Sequence, residues 1–409
     1  MNNAALLSSY FQDSLPEAEL PPYFTLGARI PPAGTAAMDS SDQAVVTFDE
    51  VTGVAACRCG VNLVGRDQEV VWRKLGEIKY VVANPTASVD QRLRGKLTLE
   101  QSLRLLSGRR PHYFSLRSGP PMIAPRLLAA IVRIAEDYHR LQRFANSMYA
   151  LPGMLFLADG RLNAQNFPGP TAIDLQGRLL RARGVRLVGL AKDGMLVSVV
   201  RPEARAIRRR IGSSPFAFPI LKRHLLHAYP GTSGQRAKTL QHGASSRAFG
   251  GIGAVRFALS LAGDHLAIVE MNLYDFECFA GLVVTGERLE SYLGRLRGLE
   301  GASRRGPPPV YSWDVTPFVT ECDWERHIVP TLEDIVFNAY TDTELGIYPR
   351  ALADIHNHVK LRFSDPELEA ERRQIIADLA RQGVPIEEIR ISPEGPHKTD
   401  PEEFDGYIG

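Results

Sequence analysis

A chain of 409 residues, 44% hydrophobic and 23% charged with a net charge of +2, has the composition of a globular protein with one large core or two ordinary ones. No stretch approaches the ~20 uninterrupted apolar residues of a membrane-spanning helix, and the opening residues lack the basic-then-apolar pattern of a secretory leader. Four cysteines (Cys57, Cys59, Cys278 and Cys322) are too few for a disulfide scaffold, and Cys-x-Cys without a second pair is poor zinc spacing. The expectation is a reducing, cytoplasmic setting, with Cys57 and Cys59 on one face of a strand.

Short apolar runs rich in β-branched residues or bounded by turn formers predict strands at 44–48, 53–64, 154–158, 185–191, 195–200, 266–271 and 280–286. Asp193-Gly194 between two of these runs predicts a hairpin turn, because that pair tolerates positive φ. A helix is predicted over 122–148, where Leu127, Ala130, Ile131, Ile134, Tyr138 and Leu141 recur at spacings of three and four. A second helix follows Pro349, and a third covers about 366–382, before Gly383. Helices alternating with strands, together with hairpins, predict an α/β fold with a mixed central sheet flanked by helices. The expected organisation is an N-terminal segment 1–30, one large domain 31–391 with an irregular insertion-like region 201–256, and a loose tail 392–409.

Charge is unevenly placed. From Arg201 to Arg256 there are eleven Lys/Arg against one acid, whereas Leu361 to Gly409 holds twelve Asp/Glu against six Lys/Arg. The basic segment includes Arg208, Arg209, Arg210, Arg236, Lys238 and Arg247, and it suits a phosphate backbone as well as it suits a solvated loop.

Candidate chemistry lies where acids end apolar runs. Asp159 follows a buried run and precedes Gly160; Asp39 precedes Ser40 and Ser41; Glu136, with Asp137 beside it, edges the apolar stripe of the long helix. Individually these are ordinary turn and surface positions, but three converging carboxylates would make a hard oxygen site for Mn²⁺ or Mg²⁺. Lys192 ends another apolar run, where it either snorkels to water or meets a phosphate. The literal His-Asn-His at 356–358 carries little weight. With Leu352, Ile355 and Val359 facing inward, His356 lies beside their stripe and His358 about 160° away, so Asp354, His356 and His358 cannot share a metal on one helix.

Taken in order, MDSS with Asp39, RIAED with Glu136, LADGRL with Asp159, LVGLAK with Lys192 and GIYPRALADIH with Tyr348 and His356 resemble the NurA family of DNA double-strand-break repair nucleases. The similarity runs in islands from about 30 to 385. Ser40 stands where Gly is usual, Arg161 where Ser is usual, and Ile355 where Ala is usual. The resemblance implies an RNase H-like core and a Mn²⁺-dependent nuclease with 5′→3′ activity. It further implies a homodimer that works with a hexameric HerA-type ATPase on DNA. In that frame Asp39, Glu136 (or Asp137), Asp159 and His356 would hold metal in a two-ion route, Lys192 would face the phosphate and Tyr348 would orient substrate or water. Two rivals remain open. One is a DNA-binding or assembly subunit that has lost catalysis; the other is a different metallohydrolase built on Asp354, His356 and His358. Repair and defence against foreign DNA are equally compatible settings.

Overall fold

The computed structural model describes residues 20–47, 53–83, 125–160, 180, 182–192, 194–221, 224, 254–263, 265–272, 283–284, 287–288, 328–342, 345–362 and 364–381. Its strands are β1 (Phe24–Thr25), β2 (Thr35–Thr47), β3 (Gly53–Val64), β4 (Val70–Leu75), β5 (Lys79–Ala83), β6 (Leu155–Asp159), β7 (Arg186–Ala191), β8 (Phe216–Pro219), β9 (Ala254–Ser260), β10 (Leu266–Asn272), β11 (Val283–Val284), β12 (Glu287–Arg288), β13 (Ala339–Asp342) and β14 (Gly346–Pro349). The helices are α1 (Pro125–Ala145), α2 (Met195–Ile211), α3 (Val329–Phe337), α4 (Arg350–Val359) and α5 (Pro366–Ala380).

Ten strands form one sheet in the order β1-β8-β9-β10-β7-β6-β2-β3-β4, with β5 also paired to β3. Within it, β4, β3 and β2 are antiparallel neighbours, and β6 and β7 then run parallel to β2. Three antiparallel strands followed by two parallel ones are the arrangement expected of an RNase H-like core. Beyond β7, the antiparallel strands β10, β9, β8 and β1 extend it.

Helices cover both faces, which is why β2 and β3 are buried almost throughout rather than at alternate residues. On one face, Ala37, Leu155, Leu157, Val188, Leu190, Phe257 and Val269 pack against α3 and α4. On the other, Ala36, Met38, Phe156 and Leu187 meet Leu141 and Phe144 of α1, while Phe216, Phe218 and Ile268 meet α2. Successive strand residues point to opposite faces, so each strand serves two cores.

Several elements differ from the sequence reading. The run at 195–200, expected to be a strand after a hairpin turn, is the start of α2. Leu196, Val197, Val200, Ala204 and Ile207 are all buried at helical spacing, and this longer pattern overrides the β-branched content. Gly194, with φ 113°, opens that helix rather than a hairpin. Part of the region expected to be irregular is regular structure, since 201–211 completes α2 and β8 lies in the main sheet. Residues 24–25 of the N-terminal segment join that sheet through β8. The expected strand at 280–286 is described only at 283–284, and the tail 392–409 lies outside the described residues. No described helix is long and apolar enough to cross a membrane.

Candidate metal centre

The centre of β2 carries five consecutive buried polar residues, Asp39, Ser40, Ser41, Asp42 and Gln43. Burying such groups unpartnered would cost several kcal/mol, so their partners define the local architecture. The pleat sends Asp39 and Ser41 toward α4, and Ser40 and Asp42 toward α1.

On the α4 side, Asp39 Oδ2 lies 3.0 Å from His356 Nδ1, and Asp39 Oδ1 accepts the Ser40 N–H at 2.6 Å. Ser41 Oγ donates to the Val359 carbonyl at 2.7 Å and accepts the Leu361 N–H at 3.0 Å, which fixes the end of α4. On the β3 side, Asn62 Nδ2 donates to the Ala351 carbonyl and to Asp354 Oδ2, both at 2.8 Å, fixing its first turn.

Asp159 ends β6 beside β2, where the strand gives way to Gly160 at φ 96°. The Gly160 N–H donates to the Leu190 carbonyl at 2.8 Å, so the turn is tied to β7 and leaves the Asp159 carboxylate half-exposed. A residue with a side chain would be strained at that φ. Tyr348, buried at the end of β14, places its hydroxyl 2.9 Å from Asp159 Oδ1 and 3.1 Å from the Leu190 carbonyl, with one hydrogen to donate between them. Lys192 Nζ sits 5.4 Å from the centre of the Tyr348 ring and has no hydrogen-bond acceptor among the described residues.

Asp39, Asp159 and His356 each offer a ligand atom, and these atoms lie within 4.8 Å of one another. They are the one such group among the described residues. Two carboxylates and an imidazole suit a divalent cation that accepts mixed oxygen and nitrogen donors, and the Lys192 ammonium over the Tyr348 ring suits an anionic substrate. The donor set therefore fits a resident metal ion.

The remaining candidates are placed elsewhere. Glu136 of α1 pairs with Lys79 of β5, and Asp137 accepts from Ser40 Oγ at 2.8 Å. Both belong to the face that α1 covers, so the structure brings neither to the three-residue group. Arg133, also on α1, bonds Asp42 at 2.9 Å; burial alone would lower its guanidinium, but Asp42 and Asp137 hold it above its ordinary value. Cys57 and Cys59 share this buried side, and burial pushes both thiols well up. Asp354 is taken by Arg73 and Asn62, and His358 points outward with its side chain 39% exposed, so Asp354, His356 and His358 do not converge. Arg208 is committed to the end of α2, donating to the Gly212 and Ser214 carbonyls and stacking 4.8 Å over Phe216. Arg209 and Arg210 are exposed, while Arg236, Lys238 and Arg247 lie outside the described residues. Sequence reasoning missed the roles of Ser41 and Asn62, because their importance lies in what β2 and β3 pack against.

No family model matches the chain, and no curated protein matches it. Among solved structures it is similar to NurA structures over most of its length. The NurA nuclease from Sulfolobus solfataricus is 9% identical, with 94% of this chain and 95% of that one covered and a TM-score of 0.42. A second NurA structure is 10% identical, covering 92% and 96%, with a TM-score of 0.33. A NurA bound to dAMP and manganese is 11% identical, covering 94% and 95%, with a TM-score of 0.19.

Proposed function

We propose that the chain is a divalent-metal-dependent nuclease that hydrolyses phosphodiester bonds in DNA. The observation that carries this reading is the convergence of Asp39, Asp159 and His356 at adjoining strands and one helix, with Tyr348 bonded to Asp159 and Lys192 over the Tyr348 ring. Asp39, Asp159 and His356 would hold the ion. When bound, such an ion supplies Lewis acidity and an activated water. Tyr348 keeps Asp159 oriented through its Oδ1, and Lys192 offers a positive charge to a phosphate oxygen. The exposed Arg209 and Arg210, with Arg236, Lys238 and Arg247, would follow the backbone without reading sequence. The proposed ligand set is the three-residue group alone; a second ion would require Glu136 or Asp137 to leave Lys79 or Ser40. Manganese or magnesium as the ion, 5′→3′ exonuclease and single-strand endonuclease activity, a homodimer, and a HerA-type hexameric ATPase as partner complete the reading, in DNA end processing or in defence.

The test is a Mn²⁺ and Mg²⁺ titration with linear duplex and single-stranded DNA, comparing wild type with Asp39→Asn. Metal-dependent cleavage by wild type, lost in the variant while the circular dichroism stays native, is expected. Absence of cleavage by wild type in either metal, even with such an ATPase supplied, would sink the proposal.

A further inference from the structure

Asp39 is paired across the hairpin with Gly60 of β3. A Cβ built at Gly60 would stand 2.7 Å from Ile355 Cδ1, 2.7 Å from Val359 Cγ1 and 3.0 Å from Leu75 Cδ2. Carbon atoms pack at about 3.5–4.0 Å, so the missing methyl is what allows α4 to lie this close to the sheet. Ile355 and Val359 flank His356 in the helix, one residue before and three after it, and both are fully buried. Val359 is β-branched and stiff at χ1, so its methyl cannot swing aside. The helix cannot tilt freely either, since Asn62 holds its first turn and Ser41 its last.

We infer that Gly60 is a positioning residue, setting the height of α4 above β2 and thereby the contact between His356 and Asp39. The inference rests on the proposed metal-dependent function only where it concerns ion binding. The His356–Asp39 separation is 3.0 Å, and a displacement of about 0.5 Å or more takes it to the edge of hydrogen-bonding range. Any side chain at position 60 loosens one ligand from another without touching either.

The experiment compares wild type, Gly60→Ala, and Gly60→Ala carrying Ile355→Val and Val359→Ala, which remove the two α4 methyls that the new Cβ would meet, while the exposed Leu75 side chain can turn aside. Two quantities are read: the ¹⁵N-edited NMR signature of the His356 Nδ1 hydrogen bond in metal-free protein, and Mn²⁺ affinity by calorimetry. Gly60→Ala is expected to lose the His356 signature and to bind Mn²⁺ at least about tenfold more weakly, the scale on which supporting residues act at metal sites. The triple variant should regain the signature and come within about threefold of wild-type affinity. Retention of both by Gly60→Ala, with only a lower melting temperature, overturns the inference, as does a folded triple variant that fails to recover. Should wild type bind no Mn²⁺, the metal reading fails on its own, and the NMR comparison still decides the role of Gly60.

Discussion

Asp39 and Asp159 bring two carboxylates together in a partly buried place, so the apoprotein should be strained by the feature that makes it useful. Asp159→Asn keeps the shape and removes one charge. With ligand atoms no more than 4.8 Å apart, Coulomb repulsion is about 1 kcal/mol at the dielectric of water and about 3.5 kcal/mol at an effective dielectric of 20. Asp159 is half-exposed, which favours the lower half of that range. Against the relief stands the Tyr348 hydrogen bond, which loses about 1 kcal/mol when its acceptor becomes neutral. The balance is a metal-free variant roughly 1 kcal/mol more stable than wild type, a rise of about 2 °C in melting temperature. Metal reverses the order. At a Mn²⁺ concentration of about 100 Kd, wild type gains about 2.7 kcal/mol by mass action, and the variant, lacking a ligand, gains almost none. Differential scanning calorimetry of both proteins, with chelator and with Mn²⁺, provides all four numbers. A variant that melts below wild type in chelator, or that Mn²⁺ stabilises as strongly as wild type, would show that Asp159 neither repels Asp39 nor holds the ion.

Tyr348→Phe removes the hydroxyl that holds Asp159 and leaves the buried ring in place. Cleavage efficiency should fall about 10- to 100-fold, with stability changed by only about 1 kcal/mol, as steady-state kinetics and thermal melts would reveal. His356→Ala should abolish Mn²⁺ binding while His358→Ala leaves it within about threefold, and equal damage from the two would contradict the helical geometry. Glu136→Gln breaks the pair with Lys79 and should leave Mn²⁺ affinity within about threefold by calorimetry; a tenfold loss would bring α1 into the ligand set. Cys57 and Cys59 should resist alkylation in the folded protein, with peptide mapping as the readout. Their folded thiols titrate above the ordinary value of 9.0, so the native state keeps protons that the unfolded chain releases. Their contribution is therefore full below pH 9.0 and lost as pH rises beyond it, a decline that Cys57→Ala should lessen.

Much of the fold was legible wherever one local signal dominated. β3, β6, β7 and β10 announce themselves as apolar runs, and α1, α4 and α5 as periodic stretches between turn formers and prolines. The first half of β2 was not legible, because five polar residues in a row read as surface until both covering helices are known. α2 was misread because Val197, Val199 and Val200 outweighed a helical pattern that only becomes plain by Ile207. At the site, Asp159 before Gly160 and His356 on the apolar stripe could be read from turn chemistry and helical period, and the structure brings them together with Asp39. Which face of the sheet α1 covers is a long-range fact, and it alone separates Glu136 from that group.

The two-sided polar run of β2 also bears on how the chain reaches its fold. A one-residue slip of this strand would turn Ser40 and Asp42 toward α4 and Asp39 and Ser41 toward α1, parting Asp39 from His356 and Asp42 from Arg133 at once. An apolar strand would lose little by such a slip, whereas here each mispaired arrangement buries a carboxylate away from its cation or imidazole, at a cost of several kcal/mol. The residues that would hold an ion thus act earlier, as a register code that penalises the wrong sheet before any substrate is present.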